Sequence, residues 1–240
     1  MLRFALIPAR GGSKRLPRKN LADFHGHPIM AYTIAAANKS EMFERVIVST
    51  EDEEIAAVAE KYGAEVSMRP NDLASDTARV ADVCADFLER ERAAGRSHDA
   101  FAVLYATSPL RLASDIRATV SLLHPGVCDF ALAATDYDMP PHQALRMNAD
   151  QTLEPMWPDL VNKRADALGR LCVDNGSTYA VAVPAFLRQK SFYGPGLRAH
   201  LMPRIRSIDV DTIEDLDILR VLAAGTGLVP ADPTHVYVKG

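Results

Sequence analysis

Through the first half of the chain, short β-type runs alternate with amphipathic helical stretches. That alternation restricts the fold to a mostly parallel sheet layered between helices. The expected strands are Arg3 to Pro8, Arg45 to Ser49, Glu65 to Met68, Phe101 to Tyr105 and Asp129 to Ala134. After the second, Thr50-x-x-Glu53 reads as a capping box for a helix whose Ile55, Val58, Ala59 and Tyr62 share a face, stopped by Gly63. Another helix starts near Ala78 with Val80, Val83, Cys84, Phe87 and Leu88, and a third, capped by Ser114, carries Ile116, Val120 and Leu123.

After Thr135 the rhythm stops. Pro140, Pro141, Pro155 and Pro158 interrupt a polar tract that runs to about Asp174, with only Gln143 to Met147 extended. A long irregular tract is costly in a compact domain unless it acts as a lid or subunit contact. Residues 136–174 are therefore expected to form an inserted arm within one unit spanning 1–240. Strands resume at Ser177 to Val183 and Arg206 to Val210, followed by a helix from Thr212 with Ile213, Leu216, Leu219 and Leu222, ending near Gly225. The tail from Pro230 to Gly240 reads as a surface strand or loose end.

In open parallel sheets, ligands bind at the carboxyl ends of strands. The first strand runs straight into Arg10-Gly11-Gly12-Ser13-Lys14-Arg15-Leu16-Pro17-Arg18-Lys19-Asn20, five cations with no carboxylate before Asp23. Such a loop attracts a polyphosphate, and paired glycines able to adopt positive φ can converge their N–H groups into an anion nest. A solvated basic turn is the plain alternative. The spacing fits neither G-x-x-x-x-G-K-[ST] nor G-x-G-x-x-G, which disfavours a Walker site and a dinucleotide site.

Late in the chain, Asp209-Val210-Asp211 would place two carboxylates on one face of a strand, where both reach one Mg²⁺ ion. Alternatively, Asp211 or Thr212 merely caps the following helix, with Asp215 completing a box, and acids there suit the helix dipole. Paired with a triphosphate-type loop, which needs a divalent cation, the metal reading gains weight. Thr107-Ser108-Pro109-Leu110-Arg111, after the fourth strand, offers hydroxyls to a base or sugar, or is simply a Pro-initiated turn. Asn175-Gly176 is similarly open, and the seven histidines show no metal-ligand spacing.

A net charge of -4 excludes a general nucleic-acid binder, because the positive charge is local. Three separated cysteines, Cys84, Cys128 and Cys172, imply buried thiols in a reducing cytoplasm rather than disulfides or a zinc site. No stretch is long enough to span a membrane.

The run Ile7 to Asn20 matches I-P-A-R-G-G-S-K-x-x-P-x-K-N. With Arg69-Pro70 through Asp76-Thr77, Thr107 to Arg111, Asn175-Gly176 with Tyr179, and Asp209-x-Asp211-Thr212, it resembles the acylneuraminate cytidylyltransferases over nearly the whole chain, including the branch for pseudaminic and legionaminic acids. The resemblance implies a Rossmann-like nucleotidyltransferase fold and an Mg²⁺-dependent coupling of CTP to the anomeric hydroxyl of a nine-carbon 2-keto sugar acid, in a homodimer joined by inserted arms. It implies that Arg10, Lys14, Lys19 and Asn20, with Gly11, Gly12 and Ser13, bind the triphosphate. Asp209 and Asp211 would hold the metal. Thr77, Thr107 and Ser108 would help form the nucleotide pocket, and Arg164, Asn175, Tyr179, Phe192 and Tyr193 the sugar pocket. Departures are Tyr105-Ala106 where relatives often carry Gln-Pro, Arg164-Ala165-Asp166 for Arg-Gln-Asp, and Ser177-Thr178 for Ala-Ile. Competing readings are a Kdo-type or other sugar nucleotidyltransferase, a DxD glycosyltransferase, and an inactive nucleotide sensor.

Overall fold

The computed structural model describes residues 3–226 and residue 233 of the 240. In chain order these form β1 (Arg3–Pro8), β2 (Asp23–Phe24), β3 (His27–Pro28), α1 (Ile29–Ser40), β4 (Arg45–Thr50), α2 (Glu53–Lys61), β5 (Glu65–Met68), α3 (Val80–Ala93), β6 (Ala100–Leu104) and α4 (Ala113–Val120). The second half adds β7 (Phe130–Asp136), β8 (Leu145–Met147), β9 (Leu153–Pro155), β10 (Cys172–Ala182), α5 (Val183–Gln189), β11 (Arg198–Leu201) and α6 (Ile213–Thr226).

The main sheet has the order β11-β7-β10-β6-β1-β4-β5, with β10 antiparallel to both its neighbours and the other pairings parallel. Strand β1 shows how the sequence builds three layers. Its Ala5 and Ile7 pack with Met30, Ile34, Ile55 and Ile116 from α1, α2 and α4, while Phe4 and Leu6 meet Val83, Phe87 and Phe186 from α3 and α5. Both faces are covered, so the strand reads as a continuous apolar run. A smaller cluster of Phe24, Tyr32, Leu110, Val210, Leu216 and Leu219 docks α6 beside the sheet. Burying Val210 alone contributes about 1.5–3 kcal/mol to holding the segment before α6 in place.

The structure corrects several local expectations. Arg206 to Val210 is not a strand. Pro203 leads into a 3-10 turn at Arg204–Arg206, and the Val210 N–H donates sideways to the Thr107 carbonyl at 3.0 Å. The α2 cap is Asp52, whose carboxylate accepts from the Ile55 N–H at 3.0 Å, because Thr50 still belongs to β4. At α4, Asp115 rather than Ser114 serves the helix start, accepting from the Leu112 N–H at 2.9 Å. Leu123 is core but lies past the end of α4, and Ile213 is exposed. Strand β10 begins at Cys172, not Ser177, because Asn175 to Thr178 form a bulge between the paired Asp174 and Tyr179. Cys172 is exposed, unlike Cys84 and Cys128. The expected tail strand from Pro230 lies outside the described residues except for Pro233.

Between β7 and β10 the arm carries the β8–β9 hairpin. Leu145 pairs with Pro155 and Met147 with Leu153, so these four share one face, on which Leu145, Met147 and Leu153 are exposed.

At the opposite end of the sheet from the cavity described below, Glu91 is 3% exposed and accepts from Arg45 (2.6 Å), Arg96 (2.7 Å) and His98 (2.9 Å). The Arg96 hydrogen bond, outweighing burial and joined by His98 and Arg45, pulls its carboxyl down to about 2. A carboxyl held this low stabilises the fold above its unfolded value near 4.5, and the contribution disappears as pH falls through about 2. Glu91→Gln is therefore expected to lose on the order of 2–3 kcal/mol at pH 7, with the gap to wild type narrowing below pH 4 in urea titrations. A gap that does not change with pH would exclude this account.

Candidate active site

The parallel strands β1, β4, β5 and β6 all end at one edge of the sheet, where the chain winds from β1 outward through β4 and β5 and then crosses back to place β6 on the other side of β1. Crevices form at such switch points. Here it is a cavity of about 500 Å³ lined by Arg10, Lys14, Lys19, Arg69, Asp76, Thr107, Asp209 and Asp211, among others. That volume suits a nucleotide-sized ligand.

Gly11 is required by close approach. A Cβ there would stand 2.4 Å from Oδ2 and 3.0 Å from Cγ of Asp52, and its N–H donates to Glu51 Oε1 at 2.7 Å. The expected left-handed nest is not formed: neither Gly11 nor Gly12 is among the residues with positive φ. Gly12 has open space around it and, with Ser13, lines the cavity.

The loop's cations are not unpaired. Tertiary structure brings acids the local sequence lacks. Arg10 and Lys14 meet Asp76 at 3.0 and 2.6 Å, Arg15 and Lys19 meet Asp211 at 2.7 and 2.9 Å, and Arg18 pairs with Asp52 and Glu54. Asn20 is buried and donates to the Arg10 carbonyl at 2.9 Å, fixing the loop's entry. Arg69, also buried, is held by Glu51 at 3.0 Å.

Asp209 and Asp211 face the cavity although no strand pleat sets them. Asp209 accepts from the Thr107 hydroxyl, and from Ser108 at 3.4 Å. Burial pushes its carboxyl up, against the pull of Thr107 and Lys19. For Asp211 burial also pushes upward, but hydrogen bonds and charge from Lys19 and Arg15 win and hold it below the usual range. The capping box forms as the alternative had it, with Thr212 as cap: its hydroxyl accepts from the Asp215 N–H at 3.2 Å and Asp215 accepts from the Thr212 N–H at 2.8 Å and the Asp211 N–H at 3.0 Å, so the box leaves both DxD carboxylates for the cavity. No group of three or more potential ligands is found among the described residues. Two carboxylates with room beside them are a donor set suited to Mg²⁺, which keeps waters and completes its shell with phosphate oxygens.

Arg111 is fully buried. It donates to Thr33 Oγ1 at 2.8 Å and to the Ser177 carbonyl, tying the loop after β6 to the bulge in β10; burial pushes its guanidinium down to about 10. Asn175 is buried and donates to Ser207 Oγ at 3.0 Å, so it braces the DxD segment rather than lining the cavity. Tyr179, Phe192 and Tyr193 do not line the cavity: Tyr179 and Phe192 pack ring against ring, Tyr179 and Tyr193 both donate to Asp174, and the link to the cavity is Tyr105, which lines it and whose ring lies 5.8 Å from that of Tyr179. Thr77 is exposed and bonded to Ser75 at 3.3 Å. Arg164, 86% exposed on the arm, pairs with Asp166 at 3.1 Å; neither Thr77 nor Arg164 lines the cavity.

Sequence reasoning assigned no role to Arg69, Asp76, Glu51 or Asp174. Arg69 carried a usable signal, since it directly follows an expected strand and so had to emerge at the ligand edge. Nothing local marked Asp76 and Glu51 as partners of the loop, whose residues lie far earlier in the chain.

Residues 4–127, just over half the chain, match the cytidylyltransferase family profile. The chain is 32% identical over 223 residues to pseudaminic acid cytidylyltransferase of Campylobacter jejuni, covering 92% of this chain and 96% of that one. It is 34% identical over 213 residues to CMP-N,N'-diacetyllegionaminic acid synthase of Legionella pneumophila, covering 87% and 90%. Among solved structures, CMP:2-keto-3-deoxy-manno-octonic acid synthetase complexed with CTP shares the fold with a TM-score of 0.69 at 19% identity, covering 93% of this chain and 99% of that chain. With relatives of this identity matched nearly end to end, the chain belongs to the cytidylyltransferase family, in its acylneuraminate group.

Proposed function

We propose that the chain couples CTP to the anomeric hydroxyl of a nonulosonic, sialic-type acid, giving the CMP-sugar and pyrophosphate. The observation that carries this is the convergence of the basic loop and the DxD carboxylates on one cavity, in a chain whose relatives are named for this chemistry. Arg10, Lys14 and Lys19 are placed to exchange Asp76 and Asp211 for the triphosphate and to hold the charge that grows on departing pyrophosphate. Asp209 and Asp211 would hold Mg²⁺, which when bound neutralises phosphate charge and draws the phosphates into line. Asn20 and Gly11 fix the loop so that these cations are oriented before substrate arrives. The sugar acid would lie against Tyr105, Tyr179, Phe192 and Tyr193, with Thr107 between the two substrates.

The apolar face of the β8–β9 hairpin suits a second copy of the chain, and we assign the arm to a homodimer contact on that ground. No helix among the described residues is long and apolar enough to cross a membrane; a cytoplasmic site of action remains part of this proposal.

Incubation with CTP, Mg²⁺ and N-acylneuraminic, pseudaminic or legionaminic acid is expected to produce ³¹P signals of pyrophosphate and of a CMP phosphodiester in equal amounts, abolished by EDTA. CTP binding with neither product from any acid would support the sensor instead.

A further inference from the structure

Asp115 is buried, 3% exposed, and does not line the cavity, yet every acceptor direction of its carboxylate is taken. Oδ1 accepts from Arg206 Nη2 at 2.6 Å and from His200 Nε2 at 3.2 Å; Oδ2 accepts from Arg206 Nε at 3.2 Å and from the Leu112 N–H at 2.9 Å. A carboxylate offers about four such sites, so this one is saturated and held against rotation. Its partners come from the start of α4, from β11 and from the 3-10 turn at Arg204–Arg206. Burial pushes the Asp115 carboxyl up, but Arg206, Leu112 and His200 win and hold it below the usual range. The Leu112 bond is all that the start of α4 asks of this side chain, and a buried ion pair adds little net stability over apolar packing. What the pair supplies is geometry.

Arg206 stands shortly before Asp209, and no helix or strand lies between it and the DxD pair. With no sheet ladder to set them, the carboxylates depend on what grips the chain on either side. Val210 grips from behind, through its N–H on the Thr107 carbonyl at 3.0 Å and its burial beneath α6. Arg206 grips from in front. Thr107 closes the circuit: its hydroxyl donates to Asp209, and the loop it opens runs to Leu112, whose N–H rests on Asp115. Asp209 and the loop that orients it are thus referred to the same buried anion. The planar arginine fork fixes direction as well as distance, which a lysine ammonium does not.

Resting on the Mg²⁺ role proposed for Asp209 and Asp211, we infer that Asp115 and Arg206 are positioning residues for that pair: the bidentate bond between them sets where Asp209 points, and so how tightly the divalent ion joins CTP in the cavity.

Calorimetric titrations of CTP in EDTA and in saturating Mg²⁺, without sugar acid, test this. Wild type is expected to bind CTP about tenfold more tightly with Mg²⁺, because the ion bridges phosphates and acids that otherwise repel. Arg206→Lys, at a side chain partly open to solvent, keeps the charge and loses the fork; CTP affinity in EDTA should stay within about twofold of wild type while the Mg²⁺ gain shrinks to about twofold. Asp115→Asn keeps the shape and gives up acceptor sites, and should show the same split, with the double variant no worse than either single one because the two act as a unit. Should Asp115→Asn fail to fold, Arg206→Lys decides by itself. The Mg²⁺ concentration for half-maximal formation of CMP-sugar should rise about tenfold in parallel. Equal loss of CTP affinity in EDTA and in Mg²⁺ would make the pair merely structural and overturn the inference, as would an undiminished Mg²⁺ gain in the variants. No Mg²⁺ gain in wild type would instead overturn the metal assignment on which it rests.

Discussion

Asp211→Ala is expected to lower the Mg²⁺-supported turnover of CTP by about 1,000-fold or more, with no rescue by added metal. Asp209 and Asp211 are the two carboxylates proposed to hold the metal, and no third potential ligand is grouped with them among the described residues, so losing one would leave the ion held mainly by phosphate and water. The effect on nucleotide binding should have the opposite sign. Asp211 pairs with Arg15 and Lys19 in the free protein, and its removal releases both for phosphate. Measured by calorimetry in EDTA, CTP binding should hold or tighten while chemistry fails. Weaker binding together with retained turnover would show that Asp211 serves only as a cap to α6, a task the structure gives to the Thr212–Asp215 box.

Lys14→Ala should cost about 100-fold in kcat, the usual size of the loss when one preorganised donor to developing charge is removed. Lys14 is 79% exposed and touches Asp76 alone among the ion pairs of the site, so unfolding should be unchanged. Arg10 remains on Asp76 and keeps the loop's register. The signature to look for is a fall in kcat that exceeds any rise in KM for CTP, since the charge on the leaving group grows only as the bond breaks. An equal effect on KM with unchanged kcat would reduce Lys14 to ground-state binding.

What the sequence disclosed and what it hid divide along a physical line. Apolar periodicity located β1, β4, β5, β6, β7 and the helices α2, α3, α4 and α6, though not α1, because a two-sided sheet needs continuous apolar runs and its helices need stripes. It failed at Arg206 to Val210, where apolar and polar residues alternate as in a strand but backbone bonds go to Thr107 and the turn after Pro203. The pair Asp209 and Asp211 still reached the cavity, through Val210 anchored under α6 rather than through a pleat. The loop after β1 was legible as basic; its neutralisation was not, since Asp76 and Asp211 arrive through tertiary folding. Nor could the pattern show that Gly11 serves contact with Asp52 instead of a left-handed turn.

The carboxylates already seated on the loop change what ligand entry means energetically. An incoming triphosphate displaces resident anions instead of neutralising bare cations, so much of the Coulombic gain is cancelled by pairs that must be broken. Long-range attraction, and with it the sensitivity of nucleotide capture to ionic strength, should be smaller than five positive charges suggest. On the proposed assignment the displaced Asp211 would also be an acid holding the divalent ion, so arrival of nucleotide would prepare the place of its companion.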